Sequence, residues 1–197
     1  MPVDRVAGLV LAAGQGRRMG RPKALVRTAA GEPWTVRAAQ VLMDGGCSDV
    51  TVVLGAAAAP ARELLADLPA ATVVIATDWH RGLSASLLAG LSSLRGREDV
   101  TAALVTLVDT PGLPPSAVAR VLGAGSVDGA TLRRAVHRGR PGHPVLIGRD
   151  HWEPLAAVLT GDAGAGPYLR SHRVSAIESG DLWDGEDVDA IERPGVD

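Results

Sequence analysis

The sequence contains few of the residues that build disulfide scaffolds or large aromatic cores. Its 197 residues include one cysteine, one tyrosine, four tryptophans and no phenylalanine. The single Cys47 excludes an internal disulfide and any metal site made of several thiolates, and it is either a small buried apolar residue or a reactive thiol. The core must therefore consist mainly of Ala, Val, Leu and Ile side chains.

The sequence also lacks a marked net charge. Twenty Lys and Arg residues against 22 Asp and Glu residues give a formal charge of −2. Proteins that bind nucleic acid or membrane surfaces usually carry a strong basic excess, so neither is expected as a partner. The charges are nevertheless separated along the chain. The first forty residues hold seven bases and two acids, whereas the last twenty hold one base and eight acids.

Long apolar runs are absent as well. The stretch 6–13 is too short to cross a bilayer, and the first five residues do not begin a signal peptide. A chain of this length fits one domain. We therefore expect a single cytoplasmic domain over residues 1–197, with a nucleotide-binding half (1–114) and an acceptor-binding half (115–197).

Short apolar runs rich in β-branched residues alternate with segments of helical spacing. This alternation predicts a single Rossmann-like three-layer α/β/α domain with a mostly parallel sheet. The predicted strands are 6–12, 50–54, 72–76 and 102–108, with less regular candidates at 129–136, 144–147 and 174–177. The predicted helices are 34–44, 60–68, 84–94, 115–122 and 152–159. Ligands of such sheets bind beyond the carboxyl ends of the strands, so the segments that follow the strands are candidate site positions.

A glycine-rich basic loop, residues 11–23 with the sequence LAAGQGRRMGRPK, follows the first predicted strand. Its three glycines permit tight turns and close approach of backbone N–H groups to a ligand. Arg17, Arg18, Arg21 and Lys23 add four cations within seven residues. Backbone donors with concentrated positive charge suit a polyphosphate, and the alternative is a solvated basic turn.

Two common phosphate-binding motifs do not fit this loop. A Walker A motif needs Gly-Lys-Ser/Thr, which is absent. The dinucleotide motif needs G-x-G-x-x-G, whereas the glycines here are spaced G-x-G-x-x-x-G. The second predicted strand also ends in Gly55-Ala56 without an acid to hold a ribose. An oxidoreductase with a nicotinamide cofactor is therefore not expected.

The glycine-rich basic loop resembles the signature of the nucleotidyltransferases that make sugar nucleotides and nucleotide-linked cofactors. The chain as a whole resembles the molybdenum cofactor cytidylyltransferase branch of the MobA-like NTP transferase family. The resemblance implies a nucleotide-diphospho-sugar transferase-like (GT-A-like) fold, in which Gly14 and Gly16 cradle phosphate. It also implies that Arg18 and Lys23 contact the triphosphate and act in catalysis. The loop residues expected to bind nucleotide are Leu11, Ala12, Ala13, Gly14, Gly16, Arg18 and Lys23.

Asp109 follows the fourth predicted strand, in the segment Asp-Thr-Pro. A carboxylate at this position suits Mg²⁺ bound to triphosphate oxygens, and the alternative is a turn-forming aspartate before a proline. The resemblance implies the first role, so Asp109 is the expected catalytic and metal residue. The acidic segment 187–192 resembles a C-terminal segment of related proteins. We expect Asp189 as a second metal ligand, with Asp187 as the alternative, unless the segment is only a solvated tail.

Two further segments are similar to family motifs. Gly82 and Ser86 lie in G-x-S-x-S, which is not a hydrolase motif, and the resemblance implies that both contact the nucleotide. Ser84 in the same segment is either a contact or a helix N-cap. The segment Gly142-His143-Pro144 and the segment 161–165 imply an acceptor site, although His143 also fits a buried turn histidine. Gly166 stands where the family has arginine, and Arg170 is the candidate substitute.

These residues predict a Mg²⁺-dependent nucleotidyltransferase. The nucleoside monophosphate of an NTP would move to a phosphorylated acceptor such as molybdopterin, releasing pyrophosphate. CTP is favoured over GTP because Ala13 matches the Leu-Ala-Ala-Gly of the cytidylyl branch. The alternatives are GTP as the donor, a sugar or alditol phosphate as the acceptor, and a non-catalytic accessory protein that binds nucleotide or cofactor. We also expect a molybdoenzyme as the client protein, and a monomer or weak homodimer as the oligomeric state.

Overall fold

The computed structural model describes residues 5–188, in which seven strands form one sheet ordered β3-β2-β1-β4-β6-β5-β7. The strands are β1 (Arg5–Ala12), β2 (Asp49–Leu54), β3 (Ala71–Ile75), β4 (Val100–Leu107), β5 (Leu132–His137), β6 (Arg140–Gly148) and β7 (Ser175–Glu178). The helices are α1 (Trp34–Asp44), α2 (Ala58–Leu64), α3 (Leu83–Leu94), α4 (Pro115–Leu122), α5 (Trp152–Val158) and α6 (Gly166–Arg170). None of these helices is long and apolar enough to cross a lipid bilayer.

Among these strands only β6 runs against the others. It pairs antiparallel with β4 and β5, whereas the β1–β2, β1–β4, β2–β3 and β5–β7 pairs are parallel. The turn between β5 and β6 places Arg138 and Gly139 at positive φ of 53° and 77°, as in two-residue hairpin turns. The predicted mostly parallel sheet is therefore confirmed.

The core lies on both faces of the sheet, because successive side chains of the central strand point to opposite sides. Val6 and Val10 of β1 pack in a cluster with residues of α1, α2 and α4. Leu9 and Leu11 pack in a second cluster with residues of α3, α5 and α6. The three-layer α/β/α prediction is confirmed, and β1 is buried on both faces in the way expected of a central parallel strand.

Several predicted bounds differ from the observed ones for local reasons. The strand predicted from 129 begins at Leu132, because the Asp128 carboxylate accepts hydrogen bonds from Ala130 N (3.1 Å) and Thr131 Oγ1 (2.6 Å) and forms a turn. The strand predicted at 144–147 is longer, because it begins at the hairpin. Helix α2 ends at Leu64, four residues before the predicted end. Helix α6 was not predicted at all.

The strand order creates a crevice at the carboxyl ends of β1 and β4. The chain passes from β1 through α1 and α2 to β3 on one side of β1, and then returns to place β4 on the other side. The loops that follow β1 and β4 therefore leave the sheet in different directions, as at the ligand-binding crevice of other doubly wound sheets. The glycine-rich basic loop and Asp109 lie at this crevice.

Candidate active site

A cleft of about 400 Å³ opens at this crevice. It brings together eight of the residues that the sequence singled out: Leu11, Ala13, Gly14, Gly16, Lys23, Gly82, Ser86 and Asp109. These residues come from three separate stretches of the chain, which only the sheet topology places side by side. The cleft is partly polar and partly apolar, as expected of a site that holds both phosphates and a base.

Two of the predicted nucleotide contacts, Ala12 and Arg18, are not among the residues that line the cleft. Ala12 is buried in the core on the α1 side of the sheet. Arg18 has an exposed side chain, and its neighbour Arg17 faces the cleft instead. Residues Arg17–Met19 form one turn of 3₁₀ helix, in which consecutive side chains point about 120° apart. The loop sequence alone does not show which of the two arginines points inward.

Two glycines of the loop have left-handed backbone conformations, with φ of 64° at Gly16 and 68° at Gly20. The carbonyl oxygen of Gly16 accepts a hydrogen bond from Met19 N (3.0 Å), which closes the turn. A Cβ atom at Gly16 would overlap the carbonyl oxygen of Arg21, whereas a Cβ at Gly20 would meet no atom within 4 Å. Glycine at position 16 is therefore required by space as well as by conformation.

This difference predicts different outcomes for two otherwise similar substitutions. Gly16→Ala should displace the loop and weaken nucleotide binding by at least about tenfold, because both the left-handed conformation and the Arg21 carbonyl oppose it. Gly20→Ala carries only the conformational cost of about 1 kcal/mol. Equilibrium titration of both variants with nucleotide checks the prediction. Equal losses of affinity in the two variants would contradict it.

Lys23 and Asp109 form an ion pair across the cleft. The distance from Lys23 Nζ to Asp109 Oδ2 is 2.6 Å, and the two side chains are only 15% and 13% exposed. The Coulomb attraction between two charges shielded from water in this way is larger than between charges on the surface. The contact joins the end of the glycine-rich basic loop to the end of β4, so the predicted triphosphate ligand and the predicted metal ligand meet.

The second oxygen of the same carboxylate, Asp109 Oδ1, is buried and has no hydrogen-bond partner among the described residues. A buried carboxylate oxygen without a donor is suited to a hard cation such as Mg²⁺. Residues 5–188 contain no group of three His, Cys, Asp or Glu side chains that could hold a metal by themselves. A cation at Asp109 would therefore take most of its other ligands from the nucleotide and water.

Asp187 and Val188, the described residues of the acidic C-terminal segment, lie beside Asp109. Val188 N donates a hydrogen bond to the backbone oxygen of Asp109 (2.8 Å), and the charges of Asp109 and Asp187 both act to raise the pKa of His143. Asp187 thus lies near the cleft. Asp189, the expected second metal ligand, falls outside the described residues, and its role stays a prediction.

A distant loop holds the start of helix α3. Leu83 N donates to the Asp162 carboxylate (3.3 Å), Ser84 N donates to Gly161 O (3.0 Å), and Ser84 Oγ donates to Thr160 O (2.9 Å). Ser84 is therefore a tertiary contact and not an N-cap. Ser86, two residues further into α3, is buried and lines the cleft. The loop 160–162 thus fixes the position from which Ser86 faces the cleft.

Sequence reasoning missed three other residues that line the cleft: Trp79, His80 and Asp162. Trp79 and His80 follow β3, in a segment that the topology rule marks as a site position. Trp79 is also one of only four tryptophans, and it is partly exposed. Asp162 lies in the segment predicted for the acceptor, and in the structure it also lines the cleft.

A smaller pocket of about 100 Å³ adjoins the cleft and shares the side chains of Leu11, Leu83 and Leu107 with it. His143 and residues 163–166 line this pocket, so the two segments predicted for the acceptor meet there. The neighbours of His143, Gly142 and Pro144, lie in β6 and do not line the pocket. His143 is therefore a strand residue and not a turn histidine.

His143 faces the pocket as an uncharged ring at neutral pH. Burial lowers its pKa below the usual 6.5, and the nearby Arg134 acts in the same direction. The Val105 carbonyl, 3.4 Å from His143 Nδ1, acts in the opposite direction and raises the pKa, as do the charges of Asp109 and Asp187. A neutral imidazole can orient a ligand by a hydrogen bond without adding a charge.

Comparisons with known proteins identify the family of this chain. Residues 8–176 match the model of the MobA-like NTP transferase domain. Nicotine blue oxidoreductase from Paenarthrobacter nicotinovorans is 37% identical over 199 residues, covering 95% of this chain and 94% of that protein. Molybdenum cofactor guanylyltransferase from Rhodobacter capsulatus is 31% identical over 156 residues, covering 75% of this chain and 66% of that protein.

The fold is similar to that of Rv0371c from Mycobacterium tuberculosis H37Rv. The TM-score is 0.78 at 26% identity, and the match covers 95% of this chain and 94% of that one. The structure of the same protein in complex with manganese matches with a TM-score of 0.72, also at 26% identity, over 89% and 88% of the two chains. The family model covers residues 8–176, and these include the loop, Lys23 and Asp109 that meet in the cleft. The chain belongs to the MobA-like NTP transferase family.

Proposed function

We propose that the protein transfers a nucleoside monophosphate from an NTP to the phosphate of an acceptor and releases pyrophosphate. An acceptor phosphate oxygen attacks the α-phosphorus, the bond from that phosphorus to the bridging oxygen breaks, and pyrophosphate leaves with the electron pair. The observation that carries the proposal is the meeting of Lys23, Asp109 and the glycine-rich basic loop in one cleft.

The residues of the cleft supply positioning and charge. Backbone groups at Gly14 and Gly16 line the cleft where the phosphates would lie, and the Lys23 ammonium would bind the triphosphate and stabilise the departing pyrophosphate. A phosphate nucleophile is already ionised, so the reaction needs no strong general base. The neutral His143 is consistent with this requirement.

Mg²⁺ is the proposed cofactor, with Asp109 as its protein ligand. The unpartnered Oδ1 atom of Asp109 supports this assignment, and the similar M. tuberculosis protein has been solved with manganese. Magnesium commonly binds through one or two carboxylates together with substrate phosphates. When bound it would neutralise part of the triphosphate charge. Asp189, with Asp187 as the alternative, is the proposed second ligand.

The identities of the nucleotide base and of the acceptor are proposals that go beyond membership of the family. Ala13, which lines the cleft, favours CTP, whereas the name of the R. capsulatus relative supports GTP as the alternative. The same name supports a molybdopterin-type acceptor, and a molybdoenzyme would be the client. A sugar or alditol phosphate is the other acceptor, and a non-catalytic accessory role is the alternative from another class.

A second candidate function follows from the other relative. The 37% identity to nicotine blue oxidoreductase extends over 95% of this chain, so oxidoreduction of nicotine blue or a related compound is the rival activity. The G-x-G-x-x-x-G spacing and the absence of a ribose-binding acid after β2 speak against a nicotinamide coenzyme.

One pair of assays separates these functions. Pyrophosphate release is measured with each of the four NTPs, Mg²⁺ and molybdopterin, and NADH or NADPH oxidation is measured with nicotine blue. We expect release with CTP, with acceptor present, and no coenzyme oxidation. The melting temperature is also measured with each NTP, because a bound ligand raises it whether or not it reacts. A rise with CTP without pyrophosphate release would support the accessory role. Coenzyme oxidation without NTP stabilisation would reject the transferase.

A further inference from the structure

We infer that Arg134 and Arg170 form a two-arginine anion site that binds a phosphate monoester on the acceptor side of the cleft. This inference rests on the proposed function, because the bound phosphate would be the nucleophile of that reaction. Arg134 had no assigned role in the sequence. Its partner Arg170 was only the candidate substitute for the arginine that the family carries at position 166.

Arg134 lines the small pocket, and Arg170 lies beside Gly166, another residue of its lining. Arg134, on β5, lines the 100 Å³ pocket together with His143 and Gly166, and its Nε atom donates to Gly142 O (3.3 Å). Arg170 ends helix α6, and its Nη1 atom lies 3.4 Å from the place where a Cβ at Gly166 would be. Residues four apart on a helix share a face, so the Arg170 guanidinium lies close to the space that a side chain at position 166 would occupy.

The two charges have no counterion among the described residues. Neither Arg134 nor Arg170 pairs with a carboxylate in residues 5–188, whereas Arg97 pairs with Asp49 and Arg120 with Asp181. Arg134 is half-buried, and its pKa is lowered by burial and by the charge of Arg170. Two like charges beside a partly buried pocket repel one another, and an anion placed between them would offset that cost.

The size and the position of the pocket restrict the ligand. A volume of about 100 Å³ has room for a phosphate group, and Arg134 and His143 are the polar side chains among the mostly aliphatic residues that line it. Paired guanidinium forks match the oxygens of a phosphate dianion. The pocket adjoins the cleft, with which it shares the side chains of Leu11, Leu83 and Leu107. A phosphate held here is therefore beside the proposed position of the α-phosphorus.

The test uses methyl phosphate as the probe and the full-length protein. Binding is followed by ³¹P NMR line broadening, with and without a CTP analogue that has a methylene group between the α- and β-phosphorus. Arg134→Gln and Arg170→Gln should each weaken methyl phosphate binding by about tenfold or more. The matched control is Arg173→Gln, because Arg173 is an exposed arginine three residues from Arg170 but, unlike Arg170, is neither beside Gly166 nor a charge that affects the pKa of Arg134. It should bind as the wild type does.

Affinity for the CTP analogue is measured in the same samples and separates the two hypotheses. Unchanged analogue binding with reduced methyl phosphate binding would support the two-arginine anion site. Wild-type methyl phosphate binding in both variants, or no binding to the wild type, would overturn it. Joint loss of both ligands would also overturn it, because the arginines would then serve the nucleotide or the fold. If Arg134→Gln does not fold, the test uses Arg170→Gln alone, because an exposed side chain such as Arg170 can be replaced without unfolding the protein. Failure of the wild type to bind either this analogue or the corresponding GTP analogue would instead reject the proposed function.

Discussion

Replacement of Lys23 by alanine is expected to lower the rate of nucleotidyl transfer by about a thousandfold while leaving the protein folded. Loss of a single oriented donor to a developing negative charge commonly costs two to three orders of magnitude in rate, and Lys23 also carries a full charge. The structure places Lys23 Nζ 2.6 Å from Asp109, at the junction of the two elements that line the cleft. The measurement is kcat and KM for the NTP, with pyrophosphate release as the readout.

The effect on stability should be small by comparison. In the free protein the alanine removes the partner of a largely buried carboxylate, which costs roughly 1–3 kcal/mol of unfolding free energy. A fall of kcat without unfolding therefore identifies a role in the reaction. Thermal unfolding monitored by circular dichroism checks this part.

A neighbouring arginine supplies the control. Arg27 is exposed, lies four residues after Lys23, and donates to Gly31 O outside the cleft (2.7 Å). Arg27→Ala removes the same charge from the same segment and should change kcat less than twofold. Near-normal turnover of Lys23→Ala would refute the proposed role of the lysine. Equal losses in the two variants would show that only the overall charge of the segment matters.

Much of the fold could be predicted because the sequence pattern is local and strong. The helix predicted at 34–44 has exactly those bounds in the structure, since its apolar positions recur with helical spacing between Pro33 and Gly45. The strand that precedes Asp109 is equally clear, because residues 102–108 are apolar except for Thr106. The rule that ligands bind beyond the carboxyl ends of the strands then predicts that Asp109 and the glycine-rich basic loop lie at one site.

What could not be predicted depends on contacts between distant residues. No local pattern indicates that Asp162 accepts a hydrogen bond from Leu83 N, 79 positions away. The antiparallel direction of β6 follows from its hairpin with β5, and this hairpin brings Arg134 to the acceptor pocket. Helix α6 was missed because its five residues begin with Gly-Pro and carry almost no periodic signal.

Replacement of Asp109 by asparagine is expected to abolish the metal dependence of turnover and to lower kcat by about a thousandfold or more. The amide keeps the shape of the side chain and an oxygen that can accept a hydrogen bond from Lys23, but it removes the negative charge that a divalent cation requires. The stabilisation that Mg²⁺ adds to bound CTP should disappear with it. The measurement is the difference in melting temperature with CTP in Mg²⁺ and in EDTA.

Asp162 provides the matched control for this experiment, because it is a second aspartate that lines the same cleft. Its carboxylate accepts a hydrogen bond from Leu83 N, and it has an exposed side chain, unlike the nearly buried Asp109. Asp162→Asn should retain the difference in melting temperature between Mg²⁺ and EDTA, while weakening the hydrogen bond that positions the start of α3. Loss of that difference in Asp162→Asn but not in Asp109→Asn would move the metal site to the other wall of the cleft. Retention of metal-dependent turnover in Asp109→Asn would remove the basis for placing the cation at β4, because that placement depends on the Asp109 carboxylate, which pairs with Lys23.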